Sequence, residues 1–263
     1  MRILGVDLGG TNVDVVVYDN GKFEYVCSRK TDIVISTFTE FLSELVEKTN
    51  AELVGIGIAA WLRKGKPVFA PNIEGLENLS FDSFPIKIVL ENDANCFALY
   101  ASKELAVRNL LGVTVGTGVG SGIIFEGKIY RGAGMAGEIG HVTVIENGRP
   151  CGCGERGHLE AYFGGRAFSL EGKEAKELVE SGDIYATEGF LLFCRTLANA
   201  IRLLDPEVIA LGGRIGMNLD VKIVKDCVHD YLPKFYDVEV VAIKDELSVA
   251  KGACLACLQQ KVQ

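Results

Sequence analysis

Ile3-Leu4-Gly5-Val6-Asp7-Leu8-Gly9-Gly10-Thr11 decides how the rest of the chain is read. Its grammar returns about a hundred residues later, as Leu110-Leu111-Gly112-Val113-Thr114-Val115-Gly116-Thr117-Gly118. Each copy is an apolar strand that runs into a glycine turn. Leu-Gly-Val at 4–6 matches Leu-Gly-Val at 111–113, and Gly9 then matches Gly116. The first copy continues into a β-rich run at 13–18 and then Asn20-Gly21, a strong two-residue hairpin signal. The second continues into 122–125, Glu126-Gly127 and another strand. The expectation is two similar lobes, each presenting a glycine hairpin to a shared cleft.

The remainder reads as mixed α/β. Periodicity predicts helices at 36–49, 94–104 and 189–204, the last stopping before Asp205-Pro206. Apolar runs predict strands at 53–60, 86–90, 208–211 and 238–243, and 248–260 reads as a terminal helix. The expected division is one lobe of residues 1–105 plus 247–263 and a second of residues 106–246, with the terminal helix packing back on the first.

Composition narrows the function classes. The 263 residues carry 27 Lys and Arg against 35 Asp and Glu, a net charge of −8, which disfavours nucleic acid and anionic membranes as partners. Glycine, 31 residues, is about 12% against a usual value of about 7%, and its clustering suits loops that approach a ligand closely. No stretch reaches the roughly 18 apolar residues of a membrane helix, and Asp7 comes too early for a signal peptide, so a cytoplasmic location is expected. Eight cysteines in such a chain are not expected to pair as disulfides. Cys27, Cys96, Cys194, Cys227, Cys254 and Cys257 read as small core residues, the C-x-x-C at 254–257 included.

Both glycine turns suit phosphate. Without Cβ atoms, Gly9 and Gly10 let backbone N–H groups approach phosphate oxygens. Thr11 adds a hydroxyl, and Asp7 at a strand end can hold Mg²⁺ directly or through water. Alone this is as much a plain hairpin turn as a binding loop. The second turn, Gly116-Thr117-Gly118-Val119-Gly120-Ser121-Gly122, turns the reading to a nucleotide. Neither is a Walker A loop, for no Gly-Lys-Ser/Thr follows, and the strand after Gly118-x-Gly120 excludes a Rossmann turn.

Two further clusters carry chemistry. Glu91-Asn92-Asp93-Ala94-Asn95 lies where a strand becomes a helix. Asn92 or Asp93 there would serve as a helix N-cap, and equally an ionised, fixed acid could take a proton from a substrate hydroxyl. His141, Cys151, Cys153 and His158 form H-x9-C-x-C-x4-H, a spacing that suits structural tetrahedral Zn²⁺; the plainer reading is two reduced cysteines in a glycine loop. Such a knot would fix Glu138 and Glu160, an acid pair suited to sugar hydroxyls.

Together these residues resemble the ROK family (repressors, open reading frames and sugar kinases), within the actin/hexokinase-like ATPase fold, over nearly the whole chain. Asp7-Leu8-Gly9-Gly10-Thr11 and 116–122 resemble the family's phosphate motifs. Pro71-Asn72 resembles its sugar-contacting Pro-Asn, and Glu91-Asn92-Asp93-Ala94-Asn95 its catalytic segment, with Asp93 at the base position. Gly137-Glu138-Ile139-Gly140-His141 is similar to the signature whose Glu and His touch sugar while the His also binds zinc. Residues 151–160 are similar to its zinc signature, ending in Glu160 at a sugar-contacting position. Asp205-Pro206-Glu207 to Gly212-Gly213 resembles the segment under adenosine.

The chain departs from the family in three places. His158 stands where the fourth zinc ligand is usually Cys. Gly55-Ile56-Gly57-Ile58-Ala59-Ala60 stands where Gly-x-Gly-x-Pro-Gly is common. The stretch 164–187 is short.

The resemblance implies an α/β, two-lobed actin-like ATPase (ribonuclease H-like) fold with a duplicated β-hairpin core and a small zinc-binding loop. It implies phosphorylation of a hexose at the 6-hydroxyl, with glucokinase activity expected first. N-acetylmannosamine, N-acetylglucosamine or fructose kinases are the alternatives, and so is a sugar-binding regulator. The family's repressors carry a DNA-binding domain ahead of the first phosphate motif, and none is expected before Asp7 here. Implied sugar contacts are Asn72, Asn92, Asp93, Glu138, His141 and Glu160. ATP and Mg²⁺ fall to Asp7, Gly9, Gly10, Thr11, Gly116, Thr117, Gly118, Gly212 and Gly213, and structural Zn²⁺ to His141, Cys151, Cys153 and His158. Hexose and ATP are the expected partners, and a homodimer is compatible with the sequence.

Overall fold

The structure, a computed structural model, describes residues 1–63, 65–70, 73, 75–76, 79–81 and 83–260. Asn72 and Pro71, expected against the sugar, lie outside these residues. The chain forms two compact units: Met1–Tyr100 with Arg131–Met135 and Leu247–Gln263, and Ala101–Tyr130 with Ala136–Glu246.

The first unit is built on β1 (Arg2–Leu8), β2 (Asn12–Asp19) and β3 (Lys22–Lys30), an antiparallel meander. Asn20 and Gly21 join β2 to β3 with positive φ at both positions (48° and 89°), the geometry whose twist suits a two-residue hairpin. Then come α1 (Thr31–Val34), a 3₁₀ turn and α2 (Phe38–Thr49), so the helix expected at 36–49 is broken at its start. β4 (Leu53–Ile58) pairs parallel with β1. A short hairpin of β5 (Trp61–Arg63) and β6 (Lys66–Phe69), absent from the sequence reading, precedes β7 (Ile88–Asn92) and α3 (Asp93–Leu105). The sheet order is β3-β2-β1-β4-β7.

The second unit repeats this plan. β8 (Leu110–Val115), β9 (Val119–Phe125) and β10 (Lys128–Ile129) form the meander. Its second turn, Glu126-Gly127, again has two positive φ values, 52° and 77°. There follow α4 (Gly165–Leu170), α5 (Ala175–Ser181), α6 (Glu188–Leu204), β11 (Val208–Gly212), α7 (Gly213–Gly216), α8 (Val221–His229) and β12 (Glu239–Ala242), and finally α9 (Ser248–Gln260), which belongs to the first unit. The order β10-β9-β8-β11-β12 matches the first sheet strand for strand.

Alternation along β1 sorts two faces. Leu4, Val6 and Leu8 join Val54, Ile56 and Ile58 of β4 in one core with Phe38, Leu42 and Leu45 of α2. Each such side chain contributes about 1.5–3 kcal/mol when fully buried. The other face carries Ile3, Leu53 and Val89 against Ala250, Cys254 and Cys257 of α9. Sheet and helix meet here almost backbone to backbone: a Cβ on Gly5 would lie 2.2 Å from the Ala250 carbonyl oxygen, and one on Gly252 only 1.9 Å from that of Cys96 in α3. Gly252→Ala is therefore expected to overpack the α9–α3 contact and cost about 1–3 kcal/mol, read as a lower urea midpoint. A midpoint equal to the parent's would contradict so close an approach.

Cys96, Cys194, Cys254 and Cys257 are buried as expected, whereas Cys27 and Cys227 are only partly buried. Cys27 lies on β3, an edge strand with much of its surface exposed, and Cys227 flanks the apolar stripe of α8. Among the described residues, no helix is long and apolar enough to cross a membrane.

Candidate active site

In the first unit the glycine turn is held from behind by one residue. Buried Thr31 donates its hydroxyl to the Gly9 carbonyl (2.7 Å) and its N–H to the Thr11 carbonyl (3.0 Å). The Gly9 N–H closes the turn on the Asn12 carbonyl at 3.1 Å, and Gly10 and Thr11 are exposed. A turn whose carbonyls are bonded on its inner side can direct N–H groups toward an anion.

The parallel strands place the acids. Register aligns Asp7, Gly57 and Glu91 in one row across β1, β4 and β7, so all three share the α9 face at the carboxyl ends of these strands. Of the two residues the sequence offered as a cap, Asn92 takes the position. Asn92 caps α3, its Oδ1 accepting the Asn95 N–H at 3.1 Å while its Nδ2 donates to the Ala60 carbonyl. Asp93 is thereby released from capping and sits half-buried in the first turn, with Oδ1 accepting the Ala94 N–H at 2.8 Å. Burial pushes its carboxyl up from 3.8 to about 6, against the lowering by that hydrogen bond. Asp7 is raised well above the ordinary range, first by burial and then by the charges of Asp93 and Asp14. The Asp93 charge thus bears on Asp7.

In the second unit the glycine turn is again tied from behind. The Gly165 and Arg166 N–H groups, at the start of α4, donate to the Gly116 and Thr117 carbonyls at 2.8 and 2.9 Å. Glu160 lies against this turn: its Oε2 accepts the Val119 N–H at 3.3 Å and would be 1.9 Å from a Cβ on Gly118. The Gly137–His141 segment packs on the same strand, with the Ser121 hydroxyl donating to the Gly137 carbonyl and Gly140 abutting the Val119 backbone. Half-buried Glu138 opens the 3₁₀ turn that carries His141. Glu138, His141 and Glu160 therefore all flank the start of β9.

The four proposed metal ligands converge. The ligand atoms of His141, Cys151, Cys153 and His158 lie within 4.8 Å of one another. Cys151 Sγ is 3.6 Å from His141 Nδ1, and Cys153 Sγ is 3.3 Å from His158 Nδ1. A tetrahedron with the usual zinc–sulfur and zinc–nitrogen lengths places S and N about 3.5 Å apart. The donor set fits such an ion, and a hairpin in which the Cys151 N–H bonds the Glu155 carbonyl (2.8 Å) shapes it in advance. Without metal, burial raises the Cys151 thiol to about 11 and lowers His141. Gly212 ends β11 and Gly213 starts α7 at φ 73°, where a Cβ would strike the Val115 carbonyl at the root of the second turn.

Some participants had no role in the sequence reading. Glu91 is 4% exposed, and its Oε2 accepts Arg131 Nε at 2.8 Å and Nη2 at 2.5 Å. An acid inside a buried strand signals a partner, but nothing local names an arginine forty residues away. Thr31 gave no signal beyond its place after a polar strand.

A model of the ROK family matches residues 3–256. An N-acetyl-D-glucosamine kinase of Histophilus somni is 31% identical over 274 residues, covering 88% of this chain and 87% of that protein. A glucokinase of Thermotoga maritima is 30% identical, with 92% of each covered. The crystal structure of a ROK family glucokinase from Streptomyces griseus in complex with glucose and AMPPNP matches with a TM-score of 0.80 at 26% identity, over 98% of this chain and 100% of that one. The duplicated α/β fold expected from the sequence is the fold found. With the family model spanning nearly its whole length and kinases among its relatives, the chain belongs to the ROK family.

Proposed function

We propose that this chain, an ATP-dependent sugar kinase by its kinase relatives, transfers the γ-phosphoryl group of ATP to the 6-hydroxyl of a hexose, with glucose the first candidate. One observation carries the reading: Asp93 is a half-buried carboxylate freed from capping by Asn92, with its pKa raised toward neutrality. Asp93 accepts the 6-hydroxyl proton as that oxygen attacks the γ-phosphorus in line and ADP departs. Asn92, Glu138, His141, Glu160 and Asn72 are assigned to the sugar. The glycine turns at 9–11 and 116–118 are assigned to the phosphates, and Gly212 and Gly213 to adenosine.

Mg²⁺, which screens the phosphate charge, is assigned to Asp7. Zn²⁺ is assigned to His141, Cys151, Cys153 and His158, four protein ligands that leave no open position, so its work is structural. With two thiolates the loaded site is neutral. Were zinc held through Nδ1, which faces Cys151 Sγ, the His141 ring would keep its proton on Nε2 as a donor for a sugar oxygen. The proposed lobes are residues 1–105 plus 247–263 and residues 106–246; the compact units differ from them at 101–105 and at Arg131–Met135.

The N-acetylglucosamine kinase relative supports a second reading in which the substrate is an N-acetylhexosamine. Coupled ADP release with MgATP against glucose, mannose, fructose, N-acetylmannosamine and N-acetylglucosamine separates the two. Glucose turnover at roughly 1–100 s⁻¹ is expected. Turnover confined to the N-acetyl sugars would favour the second reading. Sugar-dependent thermal stabilisation without turnover would point to a regulator instead.

A further inference from the structure

Glu91 sits one strand position before the junction that presents Asp93. Its carboxylate is engaged at both oxygens. Oε1 accepts the Asn92 N–H at 3.0 Å and Asn95 Nδ2 at 2.9 Å, and Oε2 accepts both Nε and Nη2 of Arg131. Asn92 and Asn95 are themselves joined by the cap of α3, with Asp93 between them. The Asn95 Oδ1 is buried without a hydrogen-bond partner in the structure, so the Glu91 contact is what orients that amide. The balancing charge comes from the stretch Arg131–Met135, which belongs to the first unit although the chain on either side of it belongs to the second.

We propose that Arg131 is a positioning residue for phosphoryl transfer: by holding the Glu91 carboxylate it fixes the Asn92–Asn95 turn that aims Asp93. The inference rests on Asp93 being the base. Without Arg131, Glu91 is a buried charge with no cation beside it; it must protonate or swing outward, and either change loosens its hold on the Asn92 N–H and the Asn95 amide. Lysine at this position keeps the charge but replaces the grip of two rigidly spaced donors by one flexible ammonium.

Steady-state kinetics of Arg131→Met, Arg131→Lys and Asp93→Ala in the full chain, with the best hexose and MgATP, test this. Arg131→Met is expected to lose about 30-fold or more in kcat and Arg131→Lys about three- to tenfold, each with the sugar KM within threefold of the parent. Asp93→Ala is expected to be inactive. If the methionine variant does not fold, the lysine variant decides. A kcat within twofold of the parent in every folded Arg131 variant, beside an inactive Asp93→Ala, overturns the role of Arg131 alone; a lower melting temperature would then mark the ion pair as merely structural. An active Asp93→Ala overturns the base assignment, and this inference with it.

Discussion

Asp93→Asn is expected to lower kcat by about 10³-fold while raising stability at neutral pH. The two effects share one cause. The folded chain holds the Asp93 carboxyl at about 6, above its ordinary 3.8, chiefly through burial. The native state therefore binds this proton more tightly than the unfolded chain does. At pH below about 4 both states are protonated and the residue costs nothing. Between about 4 and 6 the unfolded chain ionises first, so stability falls as pH rises, and above 6 the full cost is present. Asparagine keeps an acceptor for the Ala94 N–H but never ionises. Its melting temperature should exceed the parent's at pH 7.5, and the gap should close by pH 4. Activity of the parent follows the opposite course, rising with pH through about 6 as the base becomes available. Melting curves at two pH values and a kcat/KM profile measure all of this. A parent-like kcat in the variant would remove Asp93 from the chemistry, and a stability gap that persists at pH 4 would remove burial as the cause.

Stripping metal, or replacing Cys151 and Cys153 together by serine, is expected to lower the melting temperature by about 10 °C or more, consistent with several kcal/mol from a structural ion. It should also weaken sugar binding, because the loop holds Glu160 on the second glycine turn and His141 beside Glu138. Elemental analysis should find about one zinc per chain. The effect on ATP affinity should be smaller, since the Gly116 and Thr117 carbonyls are tied by α4 rather than by the metal loop. Metal-free protein with the parent's melting temperature and sugar affinity would sink the zinc assignment.

What could be read in the sequence was local chemistry. Asn20-Gly21 and Glu126-Gly127 announced the two hairpins, because few residue pairs accept positive φ twice. The convergence of His141 with Cys151, Cys153 and His158 was legible from type and spacing, since the four lie within eighteen residues of chain. The β5–β6 hairpin was missed: its strands are three and four residues long, and Pro67 lies in the second. The Glu91–Arg131 pair was missed because spacing along the chain says nothing about contacts made across the fold. The Asn92 cap was half-seen. Both Asn92 and Asp93 suit that position, and only the folded chain shows that Asn92 takes it.

The closeness of α9 to β1 has a consequence for biosynthesis. Residues 3–8 leave the ribosome long before the helix at 248–260 that seals their inner face. All of the β8–β12 sheet emerges before that helix does. The nascent first sheet must therefore wait, with Ile3, Leu53 and Val89 uncovered, while the other unit can already close. Sealing that face joins distant parts of the chain, the kind of non-local closure that slows folding.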